Sequence, residues 1–338
     1  MRRGSIVRIA LVGLLVGVLV TLVAVLIDWL PPAASEQAER IHFVYWFVTI
    51  ICIAIFALVA GVILYSVVRF RAAPDDDSDG PPIHGHTGLE IVWTAIPALL
   101  VTAIAIVSAI VLTENSDAGP DPLNIDVTAR QFAWSFAYPE QDDLQTTTLV
   151  LPLDRTVKLN LRANDVIHSF WVPEMSQKQD AVPGITTHLV ITPNTLGDYT
   201  LECTELCGLG HASMRASVRV VRPAAFEQWV RQQRRAQGGG GGGGGGGRQI
   251  FASQGCTSCH TFKPAGSTAQ VGPDLDNLAA DARKAGQPLD AYVHESIKDP
   301  GAYVVPGFSN GVMPSFGQLS DEQVDALVQY LTGGGGGS

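Results

Sequence analysis

Cys203-Thr-Glu-Leu-Cys207-Gly-Leu-Gly-His211-Ala-Ser-Met214 places two thiols, an imidazole and a thioether within twelve positions. A single-copper electron-transfer site needs one Cys, two His and a weakly bound Met, so the second Cys is the informative residue. Two thiolates can bridge two soft metal ions. The set lacks one imidazole, and His168 in Asp165-Val-Ile-His168-Ser-Phe-Trp171 can supply it from an earlier loop. The competing reading is a structural disulfide between Cys203 and Cys207 in an oxidising compartment, with His168, His211 and Met214 merely packed.

The surroundings of this loop are all-β in pattern. Tyr199 to Glu202 reads as a strand leading into it, and from Asn124 to Val221 short apolar runs alternate with period two, as at Val157, Leu159 and Leu161 or Leu189 and Ile191, bounded by Pro and Gly. That periodicity with frequent turns predicts a β-sandwich over residues 119–222.

The loop resembles the CuA site of cytochrome c oxidase subunit II, a domain of cupredoxin fold. The resemblance implies a dinuclear copper centre in which Cys203 and Cys207 are shared, His168 and His211 bind one ion each, and Met214 and the backbone carbonyl of Glu205 complete the set. It also implies that the Glu205 side chain faces a magnesium ion shared with subunit I. A rigid dinuclear site with delocalised charge changes geometry little between redox states, which suits fast transfer. Upstream, Leu89-Glu90-Ile-Val-Trp93-Thr94-Ala-Ile-Pro97 is similar to the family's approach to its last membrane helix. The resemblance puts Glu90 at the cytoplasmic edge, at the mouth of a proton-uptake path into subunit I; the plainer reading is a carboxylate that terminates a helix. The chain departs from the family in Ala129-Arg-Gln131-Phe132-Ala-Trp134-Ser-Phe136, where Phe132 occupies the place of a Trp through which cytochrome c delivers electrons in many relatives.

Working towards the N-terminus, residues 1–118 hold three apolar stretches, at 6–27, 43–68 and 91–113. Beyond Arg8 near its start the first carries no charge, and ~20 apolar residues in a helix rising ~1.5 Å each cross a ~30 Å hydrocarbon layer. Arg2, Arg3 and Arg8 beside the first stretch and Arg69 and Arg71 beside the second put those flanks in the cytoplasm by the positive-inside bias, and everything after Asn115 outside. A signal peptide is the alternative for the first stretch, given the basic residues before it and Ala33 and Ala34 after it. Its length favours a retained helix, and both readings leave the same topology downstream.

Working towards the C-terminus, a helix containing Phe226 and Trp229 precedes ten consecutive glycines, Gly238 to Gly247, read together as a connecting segment over 223–247. Glycine holds neither helix nor strand economically, and a ten-residue coil spans roughly 17 Å. Cys256-Thr-Ser-Cys259-His260 follows, the C-x-x-C-H pattern of covalent haem c attachment, with His260 as proximal ligand. The chain has four methionines; Met214 is committed to copper and Met175 lies in the sandwich, which leaves Met313 in Gly311-Val-Met313-Pro314 as distal ligand. A thioredoxin-like pair or half a zinc site is the other reading of the motif, yet no second Cys pair or βαβ pattern surrounds it. Ser320 and Gln323 have capping-box spacing, and Val324, Leu327, Val328 and Leu331 mark one helical face. Residues from about 40 to 222 resemble subunit II and residues 248–332 a small class I cytochrome c, together as in the fusion of caa3-type oxidases, while the first helix and the glycine runs lie outside the resemblance. Residues 333–338 read as a flexible tail.

A net charge of −10 spread along the chain offers nothing to grip nucleic acid. Of five cysteines only Cys52 lies outside the two pairs, and His42, His84, His86, His188 and His294 fall outside both metal motifs. The expected function is that of subunit II of an aerobic, proton-translocating terminal oxidase in the cell membrane. Both soluble domains are expected on the outer face, passing electrons from haem c to CuA and on to subunit I. Expected partners are subunits I and III, the lipid membrane and an upstream donor such as a cytochrome bc complex or cytochrome c. The alternatives are the equivalent subunit of a nitric oxide reductase-like complex and, from another class, a membrane-anchored copper-delivery protein, for which a covalent haem has no purpose.

Overall fold

The computed structural model describes residues 3–71, 82, 84–238, 245–317 and 319–333. Three long helices come first: α1 (Arg3–Leu26), α2 (Glu36–Arg69) and α3 (Thr87–Ser116). Their apolar windows have mean hydropathies of 3.0, 3.1 and 2.7, and each is long enough to cross a bilayer. Leucines and valines stay outward all round these helices (Leu26 is 78% and Val68 82% exposed), the distribution expected of a lipid-facing anchor rather than a water-facing bundle. The helices begin earlier or run later than the apolar stretches because polar turns extend them: Arg40 near the start of α2 reaches Glu114 at 3.7 Å and Asn115 at 3.3 Å near the end of α3. Small residues let α1 and α2 cross closely, since a Cβ on Gly61 would lie 2.9 Å from Gly13 Cα.

The second unit comprises residues 33–38 and everything from Ser116 onward. Its first part is the expected sandwich. One sheet runs β3-β2-β1-β5-β8, built from β1 (Leu123–Arg130), β2 (Ala133–Tyr138), β3 (Leu144–Thr146), β5 (Val157–Ala163) and β8 (Thr187–Ile191). The other runs β4-β10-β9-β6-β7, from β4 (Leu149–Pro152), β6 (His168–Val172), β7 (Gln177–Ala181), β9 (Gly197–Cys203) and β10 (Arg215–Val221). Strict alternation along β1 and β5 turns Leu123, Ile125, Val127, Val157, Leu159 and Leu161 into the core between the sheets. Tyr138 is fully buried there because its hydroxyl both donates to the Val150 carbonyl and accepts from the Val150 amide. The helix α4 (Pro223–Gly238) lays Phe226 and Trp229 against that tyrosine.

The C-terminal part is helical: α5 (Gly245–Ser253), α6 (Leu278–Ala285), α7 (Leu289–Lys298) and α8 (Asp321–Thr332). Ser320 and Gln323 make the reciprocal capping box at the start of α8, and Val324, Leu327 and Val328 are its buried face. The glycine run requires a correction. The expected linker extends to Gly247, whereas α5 already begins at Gly245, and only residues 239–244 of the run, like the expected tail from 334 on, lie outside the described residues. The reason is a helix crossing: a Cβ on Gly247 would stand 2.0 Å from the Ala326 carbonyl oxygen, so the last glycine lets α5 touch α8. One turn further on, Phe251 meets Phe262 and Tyr330 at ring separations of 5.5 and 5.8 Å, closing the core of this part.

Candidate metal centres

Strand pairing assembles the first centre. His168 opens β6, Cys203 ends β9 and Met214 immediately precedes β10, and the antiparallel register Phe170↔Cys203 brings these three ends to one edge of the sandwich. The Cys203 amide donates to the Met214 carbonyl at 3.1 Å and the Thr204 amide to the Ser169 carbonyl at 3.0 Å, closing the loop on its neighbours. The donors then converge. Cys203 Sγ lies 3.9 Å from Cys207 Sγ, 3.9 Å from His168 Nδ1 and 3.3 Å from the Glu205 carbonyl oxygen. Cys207 Sγ lies 3.6 Å from His211 Nδ1 and 3.7 Å from Met214 Sδ. All four cysteines of the two pairs are free thiols, and the 3.9 Å gap is nearly twice the ~2.05 Å of a disulfide bond. It is a span that thiolates binding a common ion at ~2.3 Å can bridge, and His168, Cys203 and Cys207 meet the geometry of a metal cluster.

Electrostatics favour a cation. Burial opposes ionisation of Cys203, but hydrogen bonding by His168 and the Ser169 amide overcomes it and holds the thiol below its ordinary value. Burial and then the charge on Cys203 push Cys207 up. A protein-only site thus carries one thiolate comfortably, and a bound cation is what would let the second proton leave.

Asp165, quoted in the sequence motif but given no role, proves central. His168 is fully buried; its Nε2–H donates to Asp165 Oδ1 at 2.8 Å, which turns Nδ1 towards the sulfurs. Asp165 Oδ2 accepts the Gln131 amide at 2.6 Å, and Gln131 Nε2 donates to the Cys207 carbonyl at 2.5 Å. Burial would raise the Asp165 carboxyl, but His168 and two backbone amides bring it below its usual value, so it is ionised at neutral pH. The only advance signal was an acid three residues before a ligand histidine. Asp165→Ala is expected to weaken copper binding by about 10–100-fold while leaving the haem domain unchanged, as read by copper titration against a competing chelator. Unaltered affinity would show that His168 needs no orienting partner. The Glu205 side chain is exposed at the loop tip.

The second centre is a cavity in the helical part. Cys256, Cys259, His260 and Met313 all line it, together with apolar Phe251, Leu278, Tyr292, Ile297, Phe316 and Leu327. His260 is buried, and its Nδ1–H donates to the Pro273 carbonyl at 2.8 Å, which leaves Nε2 free as a ligand. Burial lowers the His260 pKa more than that bond raises it, so the imidazole is neutral, the form that binds iron. Gly272 makes room for the ring: a Cβ there would sit 2.6 Å from His260 Cε1. Two thiols, an imidazole and a thioether around one largely apolar cavity fit a covalently held haem. Glu90 is in neither centre. Its carboxylate accepts the His86 amide at 3.1 Å while His86 Nδ1 accepts the Leu89 amide at 3.2 Å, a reciprocal cap on α3.

Three family models match the chain: cytochrome c oxidase subunit II, transmembrane domain, over residues 23–111; the periplasmic domain of the same subunit over 143–221; and cytochrome c over 246–334. Among curated relatives, a cytochrome c oxidase subunit 2 of Synechocystis is 33% identical over 275 residues, 65% of this chain and 82% of that protein. That of Alkalihalophilus pseudofirmus is 31% identical and spans 88% of this chain and 89% of its own length. That of Bacillus subtilis is 29% identical over 89% of this chain and 90% of its own.

The chain belongs to the cytochrome c oxidase subunit II family. It is a member with a cytochrome c domain at its C-terminus, and membership makes it part of a haem–copper oxidase, which implies a subunit I. The subunit II family implies copper and the cytochrome c family implies haem, and the donor sets found in the two parts suit them. Gln131 and Asp165 meet across 34 residues of sequence, and Gln131 and Cys207 across 76, which is why the support of the copper loop was hard to place from sequence alone.

Proposed function

We propose that this chain is the electron-receiving subunit of a respiratory terminal oxidase. The observation that supports the reading is the convergence of two groups of candidate donors, His168, Cys203, Glu205, Cys207, His211 and Met214 for a copper pair, and Cys256, Cys259, His260 and Met313 around one cavity for haem c. Bound in these sites, haem iron and copper each supply a reversible one-electron couple. The residues do the rest. Cys256 and Cys259 would hold the haem covalently and His260 and Met313 would supply ligands to its iron, while Asp165 orients His168 towards the two thiols. Buried aromatic and aliphatic walls exclude water, which keeps reorganisation small. An upstream cytochrome bc complex or cytochrome c would be the donor to the haem domain, and subunit I, with subunit III alongside, would be the acceptor beyond the copper domain. The soluble unit lies on the outer face of the cell membrane, and the Glu205 side chain takes a magnesium ion at the junction with subunit I.

The test is electron paramagnetic resonance and optical spectroscopy on the full chain after copper and haem loading, with a count of each. A mixed-valence dinuclear copper signal beside a low-spin c-type spectrum is expected. Haem without dinuclear copper would overturn the oxidase reading, and copper without haem would favour a copper carrier. In an intact complex, oxygen reduction against nitric oxide reduction separates the two terminal reactions.

Coupling to proton translocation rests on Glu90 at the mouth of an uptake path. Glu90→Gln is the informative variant, since its amide oxygen still accepts the His86 amide and preserves the cap of α3, while the ionisable proton is gone. Proton uptake by the assembled oxidase is expected to slow severalfold with the copper and haem spectra unchanged. Full coupling in this variant would leave Glu90 as a helix cap alone.

A further inference from the structure

The hairpin turn between β1 and β2 touches both centres. Arg130 and Ala133 pair across it, so Gln131 and Phe132 are its two turn residues. On one side the turn holds the copper loop: Gln131 donates to the Cys207 carbonyl, and the Phe132 ring fills the space over Gly210, where a Cβ would lie 2.5 Å from Phe132 Cδ2. On the other side Gln131, Phe132 and Ala133 form part of the lining of the haem cavity. Gly255, the residue before the first haem cysteine, has φ of +74° and stands so close to Ala133 that a Cβ would meet the alanine methyl at 2.1 Å. Glycine is therefore required there both by backbone conformation and by the approach of the copper domain.

Arg130 closes this contact. Its guanidinium lies 4.8 Å from the centroid of the Phe316 ring, and Nη1 donates to Gln254 Oε1. Phe316 and Gln254 both line the haem cavity, one at the end of α5 and the other before α8. A cation stacked on one ring and hydrogen-bonded to a second element fixes orientation as well as proximity.

We infer that Arg130 is a positioning residue that latches the haem domain onto the β1–β2 turn, in the orientation from which an electron reaches Cys207. The inference rests on the electron-receiving function proposed above. One electron leaves ferrous iron, which becomes ferric, and the oxidised copper pair gains it; no bond or proton moves. The chain of contacts offered to that electron is short, from the cavity wall through Gln131 to the carbonyl of a copper ligand. The latch matters because the sequence between the domains includes a run of glycine, and a glycine-rich connection supplies proximity without orientation.

The experiment uses the full chain loaded with haem and copper. Flash photoreduction of the haem gives the rate of copper reduction, and pulsed electron paramagnetic resonance gives the distribution of distances between oxidised haem and copper. For Arg130→Ala the rate is expected to fall about tenfold and the distance distribution to broaden, with midpoint potentials and both spectra unchanged; Arg130→Lys recovers part of the rate. Gln254→Ala, on the opposite side of the contact, is expected to slow transfer less, and the double variant to be no slower than Arg130→Ala. An unchanged rate and distribution would overturn the inference. So would a slower rate accompanied by shifted potentials or altered spectra, because Arg130 would then be supporting a site and not the contact. Absence of haem-to-copper transfer in the unsubstituted chain would instead refute the proposed function.

Discussion

Replacing Cys203 by Ser abolishes the dinuclear copper signal while leaving the haem spectrum intact: this is the largest effect expected at the copper edge of the sandwich. Cys203 is the hub of that site, within 3.9 Å of the other thiol and of His168 Nδ1, and 3.3 Å from the Glu205 carbonyl. A serine hydroxyl is a hard donor with a proton that stays on at neutral pH, so it does not hold a soft ion. What remains is Cys207, His211, Met214 and a reoriented His168, which is the donor set of a mononuclear electron-transfer site. Copper content should fall to one per chain, with a four-line spectrum in place of the mixed-valence one. Electron delivery to oxygen in the assembled complex is expected to fall by more than about 100-fold, since loss of an outer partner of a ligand alone costs about 10–100-fold in metal affinity or activity. Retention of two coppers would mean that Cys203 is not a bridge. Cys207→Ser tests the same idea from the other sulfur, and the two variants should look alike if both thiolates are shared.

Legibility from sequence followed the range of the interactions. The three apolar helices, the alternation in β1 and β5 and the capping box at Ser320 are local signals, and each stands in the structure near its expected place. Helix ends shifted outward because capping atoms such as His86 Nδ1 and Arg40 side-chain contacts extend a helix past its apolar stretch. The candidate copper donors stood out because twelve residues carry most of them, with His168 supplied by a motif match. The supports were not legible. Asp165 sits three residues before His168 but is held by the amide of Gln131, 34 residues away, and nothing in a linear reading ties the side chain at 131 to a carbonyl at 207. Gly247 was hidden by its neighbours: in a run of ten identical residues, composition says coil, and only the close approach of Ala326 and Tyr330 marks this glycine out among the described residues. Gly272 and Gly255 were invisible for the same reason, each needed by the space beside it rather than by its sequence context.

The second large effect is expected at His260. Its orientation is set twice over, by the Pro273 carbonyl that takes Nδ1–H and by Gly272, whose missing side chain leaves room for the ring. His260→Ala removes the proximal imidazole but neither thioether-forming cysteine, so the haem is expected to remain covalently attached at lower yield and to lose its low-spin spectrum. Electron delivery to copper would then depend on a diffusing donor. Against a tethered domain at about millimolar effective concentration, a donor at about 10 μM is slower by about 10²-fold, and steady-state oxygen reduction by the complex should fall accordingly. Added imidazole small enough to enter the cavity should restore the low-spin spectrum and part of the rate, which separates loss of a ligand from loss of fold. Gly272→Ala is the milder companion: it keeps the histidine but places a methyl 2.6 Å from Cε1, so the ring must tilt or its bond to Pro273 must lengthen. A weakened axial field with His260 still present, seen as a mixture of spin states, would show that the glycine is part of the haem site. A native spectrum in His260→Ala would show instead that another residue binds the iron, and the assignment of this histidine would fall.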